Sequence, residues 1–318
     1  MQTASTPRIA VLLPCFNEEA AIGATVRGFQ AALPGATIYV YDNNSRDRTR
    51  EAAAEAGAVV RSERQQGKGH VVRRMFADID ADVYVMADGD LTYDPTAAPA
   101  MVELLLADGL DMVVATRRHE EKHAYRGGHV LGNKLFTGLL AGLFGRSFSD
   151  IFSGYRIFSR RFVKSFPVLS SGFEIETEMS VHALELRMPV GEVEAPYAAR
   201  PEGSHSKLST FGDGWRILRT IASLYRVERP VLFYGGIGAL LIVAAVLLAI
   251  PLVRTYLATG LVPRFPTAIL ATGLVIVAVL CVFAGLILDT VTRGRREVRR
   301  LAYLSLSSPG LPGEGDRT

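Results

Sequence analysis

Short apolar runs that end in polar clusters set the rhythm of the first half of the chain. Residues 8–14 read as a buried strand that breaks at Pro14. Asn17, Glu18 and Glu19 then open an amphipathic helix reaching about Ala32, with Asn17 as its N-cap. A second strand, residues 37–41, runs into Asp42-Asn43-Asn44-Ser45, and Asp47 starts the next helix. The pattern recurs at residues 58–60, followed by the Gly67-Lys68-Gly69 turn and a helix, and again at residues 83–87, which end in Asp88-Gly89-Asp90. A helix near residues 95–107 and a strand over residues 111–116, ending at Arg117-Arg118, continue the series. Strand and helix alternating at this short spacing predict an α/β fold, a mostly parallel sheet with helices on both faces.

The pattern changes in the second half. Residues 119–129 hold His119, His123 and His129 at irregular spacing, which reads as a polar loop in preference to a metal cluster. Apolar residues return at helical spacing over residues 131–146 and again over residues 213–230, where Arg216, Arg219 and Arg226 make the second stripe basic. That basic stripe runs into residues 231–253, an apolar stretch about 35 Å long as a helix and therefore long enough to cross a bilayer core. Residues 267–288 form a second such run, so both amphipathic segments read as helices lying at a membrane interface. The expected organisation is an α/β domain over residues 1–212, a juxtamembrane helix over 213–230, a transmembrane hairpin over 231–292 and a basic tail over 293–318 with a disordered end.

Composition agrees with this division. The chain is 49% hydrophobic, with the excess near its C-terminus, and its formal charge of +3 is held in clusters. No basic stripe of the kind that tracks nucleic acid is present. Two cysteines, Cys15 and Cys281, exclude a disulfide framework and fit a reducing compartment. Residues 1–7 are polar and the run over residues 9–13 is too short for a signal peptide.

The chemistry is expected at Asp88 and Asp90. An open α/β sheet binds ligands at the C-terminal ends of its strands. Two carboxylates separated by one glycine can both turn toward a hard divalent cation, Mg²⁺ or Mn²⁺, and leave positions for phosphate oxygens. An isolated pair of this kind is an ordinary turn, so its neighbours decide the matter. Asp42 ends another strand and can accept hydrogen bonds from a nucleobase or ribose. Arg117, Arg156, Arg200 and Lys207 are of the residue types that bind phosphate.

Taken in order, the segments Leu13-Pro14-Cys15-Phe16-Asn17-Glu18-Glu19, Asp42-Asn43-Asn44-Ser45, Gly67-Lys68-Gly69, Asp88-Gly89-Asp90, Ser149-Asp150-Ile151-Phe152-Ser153-Gly154-Tyr155-Arg156, Gly172-Phe173-Glu174-Ile175-Glu176-Thr177-Glu178 and Arg200-Pro201-Glu202-Gly203-Ser204-His205-Ser206-Lys207 resemble the family 2 glycosyltransferases of the GT-A fold. The resemblance covers roughly residues 8 to 230 and is closest to the membrane-bound branch that glycosylates polyprenyl and dolichyl phosphate. It implies a GT-A, Rossmann-like sheet and transfer, with inversion, of one hexose from a UDP-glucose-like or GDP-mannose-like donor to polyprenyl phosphate.

In that reading Pro14, Phe16 and Glu18 wall the base, Asp42 binds it, and Lys68 and Asp88 contact the donor. Asp88 and Asp90 hold the metal with help from Thr92. Asp150 stands nearest the reacting centre as base or positioning group, with Glu176 as the other candidate. The family usually has a second carboxylate where this chain has Asn43. A neutral-lipid acceptor and a nucleotidyltransferase are the alternatives. A processive synthase is disfavoured because Trp215 is outside a QxxRW motif. The expected partners are a nucleotide-sugar, a polyprenyl-phosphate lipid and the inner-membrane bilayer; whether copies pair as a homo-oligomer stays open.

The charges around the hairpin predict its orientation. Arg216, Arg219, Arg226 and Arg229 precede it and Arg293, Arg295, Arg296, Arg299 and Arg300 follow it, against only Arg254 and Arg264 in the connecting loop region. Positive flanks stay in the cytoplasm. Reporter fusions at the C-terminus and beside Gly260 are expected to read cytoplasm and the opposite side respectively, and the reverse result would overturn this orientation.

Overall fold

The computed structural model describes residues 6–119, 148–168, 170–172, 174–198, 222–223 and 225–309, together with the isolated helical positions 138, 142 and 219. Residues 131–146 apart from positions 138 and 142, His123, His129 and half of the segment at residues 213–230 lie outside the described residues. Two compact units result: Met1–Gly214 with Arg299–Thr318, and Trp215–Val298.

In the first unit β1 (Ile9–Cys15) leads to α1 (Glu19–Ala32), β2 (Thr37–Asp42) to α2 (Thr49–Glu55), and β3 (Val59–Ser62) to α3 (Lys68–Asp78). Then come β4 (Val83–Met86), a 3₁₀ turn at Pro95–Ala97, α4 (Ala98–Ala107) and β5 (Met112–His119). After them follow β6 (Arg156–Ser159), α5 (Arg160–Ser165), α6 (Ile175–Glu185) and β7 (Val190–Tyr197). The strands form one sheet in the order β3-β2-β1-β4-β6-β5-β7, in which β6 alone runs antiparallel to both neighbours. The mostly parallel sheet expected from the alternation is therefore present. Every residue of β4 is buried, as a central strand covered on both faces requires.

Local differences have physical causes. Asn17 is not the N-cap of α1; that position is Glu18, and Asn17 adopts a left-handed φ of 55°. Its Oδ1 instead accepts the Arg46 backbone N–H at 2.8 Å, tying the loop after β1 to the loop after β2. Strand β5 extends to His119 because it pairs along its whole length with β7, which the period-2 pattern of the sequence does not announce.

The second unit holds α7 (Pro230–Thr259) and α8 (Phe265–Leu304), both long and apolar enough to cross a membrane. Small residues let their backbones approach: a Cβ on Gly238 would meet the Ala278 carbonyl at 3.0 Å, and one on Gly285 would meet Val231 Cα at 3.3 Å. The outward flanks are bare leucine, valine and isoleucine, Leu240 and Leu257 among them. Glu228 accepts from Arg296 at 2.5 Å.

Residues 293–304, expected as the start of a tail, continue α8, and its last turns belong to the first unit. There Arg299 donates to the buried carboxylate of Glu185 at 2.7 Å, and the Tyr303 hydroxyl donates to Asp111 at 2.7 Å. Asp111 is fully buried and is also bound by Ser159 and by a bidentate Arg161. A buried carboxylate with this many donors is stable as a charge; without them it would not be.

Beside this contact, His182 of α6 is buried between Phe162 and Phe166, with Nε2 3.2 Å from Ser165 Oγ. Burial, reinforced by Arg299, pushes its pKa down from the ordinary 6.5 to about 3. The unfolded chain therefore binds a proton near pH 6.5 that the folded chain refuses, so this contribution to stability is complete above pH 6.5 and is lost as pH falls. The expected loss is about 2 kcal/mol at pH 5. Urea unfolding of the detergent-solubilised chain at pH 7 and pH 5 checks this, and His182→Phe is expected to flatten the dependence. An unchanged slope in that variant would show that His182 is not the group responsible.

Candidate active site

Because the parallel strands all end at one edge, the residues that follow them meet there. Cys15 of β1 pairs in register with Asp42 of β2, and Leu12 with Met86 of β4, which sets Pro14, Phe16, Asp42 and the Asp88–Asp90 loop side by side. Strand β6 runs the other way, so it is its N-terminal end, with the Ser149–Arg156 segment before it, that reaches the same edge.

Asp88 is the hub of the arrangement. Lys68, at the first position of α3, puts Nζ 2.5 Å from Asp88 Oδ1 and 2.5 Å from Glu176 Oε1. Burial works against the Lys68 charge, but the two carboxylates outweigh it and hold its pKa above the ordinary value. Two glycines seat the carboxylate loop. A Cβ on Gly154 would meet Asp88 Oδ2 at 2.7 Å, and one on Gly89 would meet Cys15 Sγ at 2.4 Å. Asp90 is almost fully buried, and its Oδ1 accepts from the Thr92 hydroxyl at 2.6 Å and the Thr92 N–H at 3.2 Å. Thr92, expected among the metal ligands, thus serves here to orient Asp90.

Asp150 and Arg117 find each other. Arg117 Nε and Nη2 bind the two Asp150 oxygens at 2.6 and 2.8 Å, a bidentate fork, and the guanidinium lies 5.4 Å from the Tyr197 ring centre. Burial lowers the Arg117 pKa, and the bonds to Asp150 more than reverse that. Each of the two acid candidates, Asp150 and Glu176, therefore carries a cation.

Arg156 does not join this group. It is fully buried, with Nε on the Ser153 carbonyl at 2.9 Å, Nη1 on Ser180 Oγ at 2.9 Å and Nη2 on the Ile151 carbonyl at 2.5 Å. Burial brings its pKa down to about 10, still charged at neutral pH. Arg156, expected among the phosphate binders, instead spends its donors on the Ser153 and Ile151 carbonyls of the loop that presents Asp150 and Gly154 and on Ser180 of α6. Arg200 and Lys207 lie outside the described residues, as do the side chains of Arg118 and His119.

The segment Gly67-Lys68-Gly69 is built for close packing. A Cβ on Gly67 would stand 2.1 Å from the Ser171 carbonyl oxygen and one on Gly69 2.1 Å from that of Ser170. Glu178 holds the same stretch by accepting from Ser170 N at 2.8 Å. The residue that sequence reasoning missed is Asn43. Its amide donates to the carbonyls of Glu63 at 3.0 Å and Gln65 at 2.7 Å, while Oδ1 accepts from Gly67 N at 2.7 Å. A carboxylate here could not donate, so the departure from the usual acidic pair is a clamp on the loop that carries Lys68. The amide was itself the available signal.

Asp42 completes the edge. It is 2% exposed; Oδ2 accepts from Ser45 N at 3.2 Å, whereas Oδ1 is buried with no hydrogen-bond partner among the described residues. An unsatisfied buried carboxylate oxygen is costly and points to a donor that arrives with a ligand. Glu18 is also buried, and its backbone N–H donates to Thr49 Oγ1 at 2.8 Å.

The donor set also fits a divalent cation. Asp88 and Asp90 are hard oxygen ligands, and in this structure an ammonium already sits on Asp88 Oδ1 where a positive charge is wanted. Among the described residues no group of three or more His, Cys, Asp or Glu side chains closes around one point, so any ion here keeps positions open for ligand oxygens.

Comparison with known proteins agrees with this geometry. Residues 10–166 match the model of glycosyl transferase family 2. The chain is 33% identical over 232 residues to the glycosyltransferase AglJ of Haloferax volcanii, a match spanning 72% of this chain and 76% of that protein. The chain belongs to glycosyl transferase family 2. A second relative of this glycosyltransferase, the dolichyl-phosphate hexose transferase of Haloferax volcanii, is 28% identical over 221 residues, 70% of this chain and 95% of that one. Among solved structures, glucosyl-3-phosphoglycerate synthase from Mycobacterium tuberculosis, in complex with Mn²⁺, UDP and glucosyl-3-phosphoglycerate, matches with a TM-score of 0.57 and 25% identity over 70% of this chain and 80% of that one. The sheet and its edge are those of a GT-A glycosyltransferase.

The Asn43 clamp is testable by itself. Asn43→Asp turns a carboxylate toward two carbonyls and is expected to destabilise the purified glycosyltransferase by about 1–3 kcal/mol, read as a lower thermal midpoint. An unchanged midpoint would show that the amide does not hold this loop.

Proposed function

We propose that this glycosyltransferase moves a single hexose from a nucleotide-sugar to polyprenyl phosphate at the cytoplasmic face of a membrane, with inversion at the anomeric carbon. The observation that carries the donor half is the lone buried Oδ1 of Asp42, which a nucleobase N–H would satisfy, at the same sheet edge as Asp88 and Asp90. Pro14, Phe16 and Glu18 flank that base, and Lys68 stands over the diphosphate.

A divalent cation on Asp88 and Asp90 would neutralise the charge of the departing nucleotide diphosphate. The M. tuberculosis synthase crystallised with Mn²⁺ and UDP supports that ion class without choosing between Mg²⁺ and Mn²⁺.

The acceptor half is supported by three things together. The dolichyl-phosphate hexose transferase is similar over nearly its whole length. Two long apolar helices with exposed flanks favour membrane association, and the arginine distribution favours a cytoplasmic α/β domain. Both oxygens of Asp150 are occupied by Arg117, and Glu176 is paired with Lys68, an arrangement suited to an acceptor that needs alignment more than deprotonation. A lipid phosphate, with a second pKa near 6, is already a dianion at neutral pH. Arg117, Arg200 and Lys207 then serve to orient phosphate oxygens, and catalysis rests on alignment and charge stabilisation.

Membranes holding the enzyme are to be incubated with Mg²⁺ or Mn²⁺, polyprenyl phosphate and a panel of UDP- and GDP-sugars, following nucleotide diphosphate and lipid-borne sugar. An acid-labile polyprenyl-phosphate sugar, lost with chelator, is the expected product. Label in a neutral lipid alone would replace the acceptor, and release of pyrophosphate would indicate nucleotidyl transfer. Asp42→Ala is expected to raise the donor KM at least tenfold, the scale of a lost hydrogen bond to a charged group; an unchanged donor KM would place the base elsewhere.

A further inference from the structure

The arrangement around Lys68 carries an inference beyond transfer itself. One ammonium bridges two carboxylates from different parts of the fold: Asp88 after β4 and Glu176 in the first turn of α6, at 2.5 Å each. Lys68 is nearly excluded from water, with 8% of its side chain exposed, and so is Glu176 with 7%, whereas Asp88 keeps 31%. The ammonium is therefore enclosed on the Glu176 side and faces the open site on the Asp88 side. It is fixed there by the Asn43 clamp on Gly67 and by the packing of Gly67 and Gly69 on Ser170–Ser171. Nothing about a phosphate-binding lysine alone requires a second, deeper carboxylate.

We propose that Lys68 is a resident counter-ion that occupies the cation position on Asp88 until the donor arrives, and that Glu176 is the carboxylate onto which it withdraws. This rests on the metal-diphosphate reading of Asp88 and Asp90. Oδ1 of Asp88 cannot hold an ammonium and a divalent ion at bonding distance together, because the two cations would repel within a poorly solvated site. Binding of the metal by itself must therefore break the Lys68–Asp88 bond. When a nucleotide diphosphate enters with the metal, its phosphate oxygens supply negative charge for both cations, so the ion takes Asp88 while Lys68, released from it, is held by Glu176 and a phosphate oxygen. Metal and nucleotide thus bind as a coupled pair, and the lysine is the source of the coupling. Lys68 and Glu176 act in this as positioning residues, setting when the ion binds.

The signs of the effects separate this role from simple structural damage. Mn²⁺ binding to the purified full chain in detergent is to be followed by electron paramagnetic resonance, with and without UDP. Lys68→Met is expected to tighten Mn²⁺ binding in the absence of UDP by about tenfold and to shrink the gain that UDP brings, magnitudes within the range of coupled sites. Glu176→Gln removes the place of withdrawal, so Mn²⁺ alone is expected to bind about tenfold more weakly. In the double variant the loss disappears and the tightening remains.

Unchanged or weaker Mn²⁺ binding in Lys68→Met, or a Glu176→Gln effect that survives removal of Lys68, would overturn the inference. Asp88→Asn serves as the separate control. If it still binds Mn²⁺ as the parent does, the metal reading of the site has failed. If it loses Mn²⁺ while Lys68→Met does not tighten it, only the counter-ion role has failed.

Discussion

Burying charges against this sheet is possible only if each is met by a partner, and that constraint organises this enzyme. Asp88 is met by Lys68, Asp150 by Arg117 and Asp111 by Arg161 and Tyr303. Removing one member of such a pair strands the other in a medium that solvates it poorly, at a cost of about 3–5 kcal/mol. The pairs are therefore both the means by which the site exists without ligand and the contacts that ligands must rearrange.

Holding the pairs in place falls to uncharged parts. Gly154 leaves room for the Asp88 carboxylate, Gly89 for the Cys15 sulfur, and Gly67 and Gly69 for the backbone at Ser170–Ser171. Arg156, though charged, works in the same way, pinning two carbonyls of the segment that bears Asp150. Thr92 aligns Asp90, and the end of that loop is tied to β7 by the hydrogen bond from Ala198 N to the Thr92 carbonyl at 2.9 Å. Little of the site is left to loop chemistry alone, which is how a charged cluster keeps one geometry.

The closing turns of α8 extend this logic to the other end of the chain. Arg299 and Tyr303 supply donors to Glu185 and Asp111, carboxylates that the α/β sheet and its helices bury. The final helical residues are thus part of the first unit's charge balance. That gives a physical reason for the helix to persist through its arginine-rich stretch, where the composition alone reads as a solvated tail.

Periodicity determined much of this protein by itself. Apolar runs at residues 8–14, 37–41 and 83–87, each ending in acidic or amide residues, were enough for a mostly parallel sheet and for an edge holding Asp42, Asp88 and Asp90, since the position of a strand's end is a local property. The two long apolar helices are equally local, being a matter of length and side-chain type. What the tertiary structure decided is which charges meet. Residue type made Arg117 and Arg156 look alike as phosphate ligands, yet one is forked onto Asp150 at the edge and the other is buried beneath the loop. The same reading split Lys68 from Glu176, which lie 108 positions apart in the chain and share a hydrogen bond. Strands β6 and β7 were also hidden, because their pairing is with distant β4 and β5 and leaves no mark in local order. Sequence specifies elements through neighbours along the chain, whereas a site depends on neighbours across the fold, and only packing selects those.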